Sequence, residues 1–161
     1  MRQAVFSSLG AIVAGARFWD IFAGSGAYGL EALSRGAAGG IFVERHGRTA
    51  ACLRKNLEAV QRSLGGAAAQ VEVVTADALS WAPPAGGADL VFIDPPYEII
   101  PQVAPVLFPK LTAALAAKPY ALVVFEMPGT AELEAPGWEC IRRLGKGAHQ
   151  PTVAFFRRGQ G

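Results

Sequence analysis

With 161 residues, 52% of them hydrophobic and 17% charged, the chain has the length and composition of one folded domain with a core of its own, and disorder is excluded. No apolar run approaches the roughly 20 residues of a membrane span, and Val5, Leu9, Ile12 and Val13 give the N-terminal stretch helical spacing in place of a signal-peptide core. Cys52 and Cys140 lie far apart, His46 and His149 stand alone, and a net charge of +2 tolerates a nucleic-acid partner without demanding one, so no disulfide framework, no metal site and a reducing cytoplasmic setting are expected.

In chain order, a helix near 3–14 precedes an apolar strand at 17–22, "RFWDIF". The turn "AGSGAYG" leads into a helix "LEALSRG", and "GIFVE" is the second strand. Ala51, Leu53, Leu57, Val60 and Leu64 recur at helical intervals from about Thr49 to Leu64, and Gly65-Gly66 form a loop. "VEVVTAD" is a third strand and "DLVFID" a fourth, followed by a helix at 103–116. "ALVVFEM" and "TVAFFRR" are further strands, and "WECIRRLGKG" reads as one more between them. Alternating strands and helices predict a parallel sheet covered on both faces, because a parallel crossover needs an intervening helix. Ligands of such sheets bind beyond the carboxyl ends of the strands, where strand order reverses.

Carboxylates collect at that edge. Asp20 sits in the first strand, Glu44 ends the second, Asp77 follows the third and Asp94 ends the fourth. Gly24, Gly26 and Gly29 fit G-x-G-x-x-G between a strand and a helix, where a tight turn and close backbone approach to a ligand are needed. Glu44 follows Gly24 at the interval usual for an acid that accepts from both ribose hydroxyls. Enzymes using NAD or FAD share this pattern, but two acids separate the readings. Asp20 would set its charge against the ligand, which disfavours a pyrophosphate and favours an ammonium group. Asp77 would accept from adenine's exocyclic amine, or serve only as a helix cap. Adenine, ribose and an aminobutyrate tail without phosphate describe S-adenosylmethionine.

The fourth strand ends abruptly in Asp94-Pro95-Pro96-Tyr97. Proline has no N–H and a fixed φ, so the strand cannot continue and the corner is rigid. An exocyclic amine is a poor nucleophile because its lone pair is delocalised into the base. Asp94 and the Pro95 carbonyl would accept its two N–H groups, aim the lone pair and stabilise the charge that grows on nitrogen. Tyr97 offers a ring for a base to stack on, worth roughly 1–3 kcal/mol.

The segments "FWDIFAGSGAYGLEALSRGA", "IFVERHGRTAACLRKNLEAV", "TADALSW" and "ADLVFIDPPYE" are together similar to the bacterial ribosomal RNA small-subunit methyltransferase D family. The resemblance implies a class I S-adenosylmethionine-dependent methyltransferase (Rossmann-like) fold, a mostly parallel seven-stranded sheet with the last strand antiparallel. It implies methylation of the exocyclic N2 of one guanine in 16S ribosomal RNA, with the RNA or the small subunit as partner and no metal. By position, Asp20, Gly24, Gly26, Gly29, Glu44, Arg45, Asp77 and Ala78 would hold the cofactor, and Asp94, Pro95, Pro96 and Tyr97 the guanine. Residues 1–161 are expected to form a single, monomeric methyltransferase domain lacking the family's N-terminal arm, and the "Y-G-x-T" before the final strand is missing. Arg142, Arg143, Lys146, Arg157 and Arg158 make the C-terminal part basic, as an RNA-facing or merely solvated surface would be. The competing readings are an adenine-N6 or cytosine-N4 methyltransferase and a silent cofactor-binding relative.

Overall fold

A computed structural model of the protein describes residues 1–65, 69–145, 147 and 150–159; Gly66, Lys146 and His149 lie outside the described residues. The apolar runs become strands, and they align in parallel because helices carry the chain back between them. In chain order the elements are α1 (Arg2–Leu9), β1 (Arg17–Ile21), α2 (Ala27–Ser34), β2 (Gly39–Glu44), α3 (Gly47–Ser63), β3 (Gln70–Thr75) and β4 (Leu90–Ile93). Then follow α4 (Ile100–Ala114), β5 (Leu122–Pro128), β6 (Trp138–Leu144) and β7 (Pro151–Arg158). They form one seven-stranded sheet in the order β3-β2-β1-β4-β5-β7-β6. Only β7 runs against its neighbours, pairing antiparallel with both β5 and β6. The strand order reverses between β1 and β4, so the loops after these two strands flank the cleft where ligands bind in open α/β sheets.

Strands buried on both sides alternate their side chains between two cores. Phe18, Phe42, Phe92 and Val124 meet α1, α2 and α3 on one face, with Tyr28 stacked on Phe92 at 5.2 Å. Trp19, Val91, Ile93 and Phe125 meet α4 on the other, through Val103, Leu107, Phe108 and Leu111. Gly29 is the close-approach position: a Cβ there would run into Phe42 and Phe18, so only glycine lets α2 lie this near the sheet.

Boundaries move where backbone chemistry decides. The first helix stops at Leu9 and tightens into a 3₁₀ turn over Gly10–Val13, because Gly10 takes φ 58°. The fourth helix starts earlier than the apolar periodicity predicts, since Pro101 fits a first turn that needs no N–H. Pro105 and Pro109 continue inside α4, and all three prolines lie on its exposed side. Among the described residues no helix is long and apolar enough to cross a membrane.

Candidate active site

The turn after β1 is laced to the end of β2. Phe22 leaves the strand at φ 65°, the one non-glycine residue with positive φ among the described residues. Ala23 N–H then donates to the Val43 carbonyl at 2.9 Å, and Gly24 N–H to Glu44 Oε1 at 2.9 Å. Glu44 Oε2 accepts the His46 N–H at 2.9 Å, so one buried carboxylate organises the loops after both β1 and β2. Each of its oxygens keeps a second lone pair for a ligand hydroxyl. Gly24, at φ 58°, would set a Cβ against no atom within 4 Å, so the backbone here faces open space.

That space is a cavity of about 380 Å³, within the range of small-molecule sites. Its walls include Gly24, Glu44, Arg45, Asp77 and Ala78 on one side and Asp94, Pro95 and Pro96 on the other. The glycine turn and the diproline corner therefore share a single cleft. Asp77 is exposed there while its Oδ1 accepts the Leu79 N–H at 3.1 Å, so the cap geometry and the cavity wall coexist in one residue. Asp94 Oδ atoms and the Pro95 carbonyl accept nothing from the described residues. Asp94 opens to solvent on one side and is crowded by the cavity walls on the other; this burial, and then Glu126, pushes its pKa up to about 6.

Four of the expected residues stand off the cavity wall. Asp20 is 2% exposed and lies beneath the turn, where its Oδ2 accepts the Gly29 N–H at 2.9 Å. Burial pushes its pKa up to about 8 against the opposing pull of that N–H, with Asp94 and Glu44 adding repulsion. In this place Asp20 shapes the turn from below. Gly26, at φ 92°, caps α2, and a Cβ there would strike Leu53. Gly29 packs α2 on the sheet, as above. Tyr97 projects outward beside the corner with 48% of its surface exposed, and slight desolvation, then Glu126 and Asp94, raise its pKa.

Sequence reasoning missed Phe22, Val43, His46, Ala76 and Ile99, which complete the cavity. It also missed Glu126, half-buried near the end of β5, and Tyr28, whose O–H donates to Glu126 Oε2 at 2.8 Å. Burial, then Glu126, raises the Tyr28 pKa beyond the ordinary phenol range. Glu126 stands two residues before the end of β5, so it does not read as a strand-end acid. Among the described residues no group of three or more His, Cys, Asp or Glu is arranged to hold a metal.

A family model described as conserved hypothetical protein 95 matches residues 1–156. The chain belongs to this family. The ribosomal RNA small subunit methyltransferase D of Escherichia coli K12 is 38% identical over 99 residues, 61% of this chain and 47% of that protein. The chain thus spans about half the length of the curated relatives it matches. A solved conserved hypothetical protein from Streptococcus pyogenes superposes with a TM-score of 0.76 at 26% identity, covering 99% of this chain and 96% of that one. An RNA methyltransferase from Salinibacter ruber, solved with S-adenosyl-L-homocysteine, has a TM-score of 0.71 at 18% identity over 99% of this chain and 91% of its own, a likeness of fold. The fold is that of the class I methyltransferases, as the sequence resemblance implied.

In this member of the conserved hypothetical protein 95 family the basic C-terminal part is largely turned to internal use. Arg143 donates to the Pro128 and Ala131 carbonyls and to Thr152 Oγ1. Arg158 donates to the Thr112 carbonyl and lies over the Trp138 ring at 5.8 Å. Arg157 buries its Nε with no partner among the described residues. Of the basic residues there, Arg142 is the exposed one among those described without such a bond.

Proposed function

We propose that the chain is a single-domain methyltransferase that moves the methyl group of S-adenosylmethionine to the exocyclic N2 of a guanine in 16S ribosomal RNA. The observation that carries this reading is the shared cleft: the Gly24 turn with Glu44 and Asp77, and the Asp94-Pro95-Pro96 corner, line one cavity. The residues fit the cofactor. Gly24 leaves open space at its Cα, Glu44 has lone pairs for two ribose hydroxyls, and Asp77 offers an acceptor for the adenine amine. Arg45 and Ala78 complete that wall, while Asp20, Gly26 and Gly29 hold the turn in shape. The related Escherichia coli protein is named as a small-subunit methyltransferase, and the fold neighbour from Salinibacter ruber binds S-adenosyl-L-homocysteine.

When bound, the cofactor supplies an electrophilic methyl group on a sulfonium. The chain's part is to make a reluctant amine attack it. Asp94 and the Pro95 carbonyl accept the two N–H groups, which turns the lone pair out of conjugation with the ring. As positive charge grows on nitrogen, the Asp94 carboxylate is already beside it, and the two prolines let the acceptors act without reorganising. The exposed Tyr97 ring is the platform for the extruded base. The proton leaves the amine last, through Asp94 or solvent. The enzyme works as a monomer in the cytoplasm, on the rRNA or the assembling subunit.

Labelled S-adenosylmethionine, small subunits lacking the modification and digestion of the product to nucleosides test this directly. N2-methylguanosine is the expected product. Label in N6-methyladenosine or N4-methylcytidine, or none in any RNA, overturns it.

A further inference from the structure

The roles above leave one acid at the rim without a task. Glu126 lies in β5 beside the diproline corner: Ile93 of β4 pairs with Phe125 of β5, so Asp94 just past β4 and Glu126 within β5 are the next residues in register. Adjacent strands are about 4.8 Å apart. Both side chains also fall on the same face, because Ile93 and Phe125 both point into the core under α4. Their proximity is felt electrostatically, since the Glu126 charge acts on Asp94 and on Tyr97.

The carboxylate of Glu126 is held. Tyr28 O–H donates to its Oε2 at 2.8 Å, and the Tyr28 ring is fixed by stacking on Phe92 at 5.2 Å and 19°. Among the described residues Oε1 has no partner. Two acceptors on neighbouring strands, one anchored, are thus presented together next to an exposed aromatic ring. A nucleobase edge that satisfies both must carry two adjacent donors.

We propose that Glu126 is the specificity residue of the site: it accepts the ring N1–H of guanine while Asp94 and Pro95 take the neighbouring N2 amine. This rests on the methyltransferase reading above and deepens it. Guanine alone among the four bases places a ring N–H next to its exocyclic amine. Adenine and cytosine have an amine next to a ring nitrogen that bears a lone pair, which would face the Glu126 carboxylate and repel it. A site built around a donor rejects the analogue that lacks it, because a buried acceptor is left unpaired. Tyr28 acts through Glu126 and is a positioning residue.

The test uses 2-aminopurine, which keeps the C2 amine but has a lone pair at N1. Small subunits are reconstituted around 16S rRNA that carries guanine or 2-aminopurine at the nucleotide the wild-type protein methylates. The wild type is expected to prefer guanine by about 100-fold or more in kcat/KM. Glu126→Gln keeps an oxygen for Tyr28 and offers an N–H to the lone pair, so the preference is expected to fall below about tenfold. Cofactor affinity, measured by calorimetry, should not change. A wild type indifferent to the exchange, or a variant that slows both substrates equally, overturns the proposal. If the glutamine variant does not fold, Glu126→Asp, which withdraws the acceptor by one methylene, must lower the ratio instead; an unchanged ratio is equally fatal. Failure of the methyltransferase reading is seen separately, as a wild type that binds no S-adenosylmethionine or methylates no guanine.

Discussion

The two sides of the switch point treat their acids differently. On the side of β1, β2 and β3, each acid at or beneath the rim holds a backbone N–H: Asp20 that of Gly29, Glu44 those of Gly24 and His46, and Asp77 that of Leu79. On the side of β4 and β5, Asp94 accepts from none of the described residues and Glu126 only from a side-chain hydroxyl. The first arrangement fixes a shape, because every carboxylate is tied to the loop it organises. The second leaves acceptors open for the donors of an incoming group, and at Asp94 burial also raises the pKa. A cofactor that returns at every turnover suits the first side; an amine that arrives, reacts and leaves suits the second.

The sharpest way to break this contrast is Asp94→Ala. It should lower turnover by about 10²–10³-fold while S-adenosylhomocysteine binding, followed by calorimetry, shifts by less than about threefold. Glu44→Ala should do the opposite, weakening cofactor binding by about 10–100-fold, roughly 1.4–2.7 kcal/mol, with turnover at saturating cofactor little changed. Equal losses of both quantities in both variants would abolish the division between the two sides.

The pH dependence sharpens it. Asp94 must be ionised to accept from the amine, and its pKa is pushed up to about 6. The kcat/KM profile should therefore climb about tenfold per pH unit below 6 and level off above it; a flat profile across that range would remove Asp94 from the reacting group. The smallest effect concerns Asp20, whose pKa rises from 3.8 to about 8 on folding. Its folded form keeps a proton that the unfolded chain releases above about 4. The stability it contributes is thus full below that value and fades as pH climbs through about 8. Asp20→Asn, which can still accept the Gly29 N–H, should match the wild type near pH 4 and melt at least about 2 °C higher at pH 8. Identical melting curves at both pH values would mean the carboxyl is not proton-bearing in the fold.

Much of this was legible in the sequence because short-range chemistry wrote it there. The prolines at 95 and 96 force a strand end whatever surrounds them, and the acids of β2 and β4 fall at strand ends that apolar runs define. What escaped depends on distant partners or on backbone shape. Tyr28 reaches Glu126 across 98 residues, and nothing local in "GAYG" announces it. Glu126 hides because Met127 and Pro128 extend β5 beyond it, so it reads as strand interior. Phe22 at positive φ has no local signal, since a bulky residue is the least expected one there. Asp20 reads in the sequence as a rim acid facing the ligand, but it lies buried under the turn, at a depth set by how close Gly29 brings α2, a packing fact.

The prolines along α4 have a consequence for its outer side. Pro105 and Pro109 cannot donate to the carbonyls one turn back, so the oxygens of Pro101 and Pro105 lose the helical donors those positions would otherwise supply. Water satisfies them at no penalty. A greasy covering would strand two acceptors at about 1–3 kcal/mol each, so whatever lies across this ridge must bring N–H or O–H groups or leave the hydration in place.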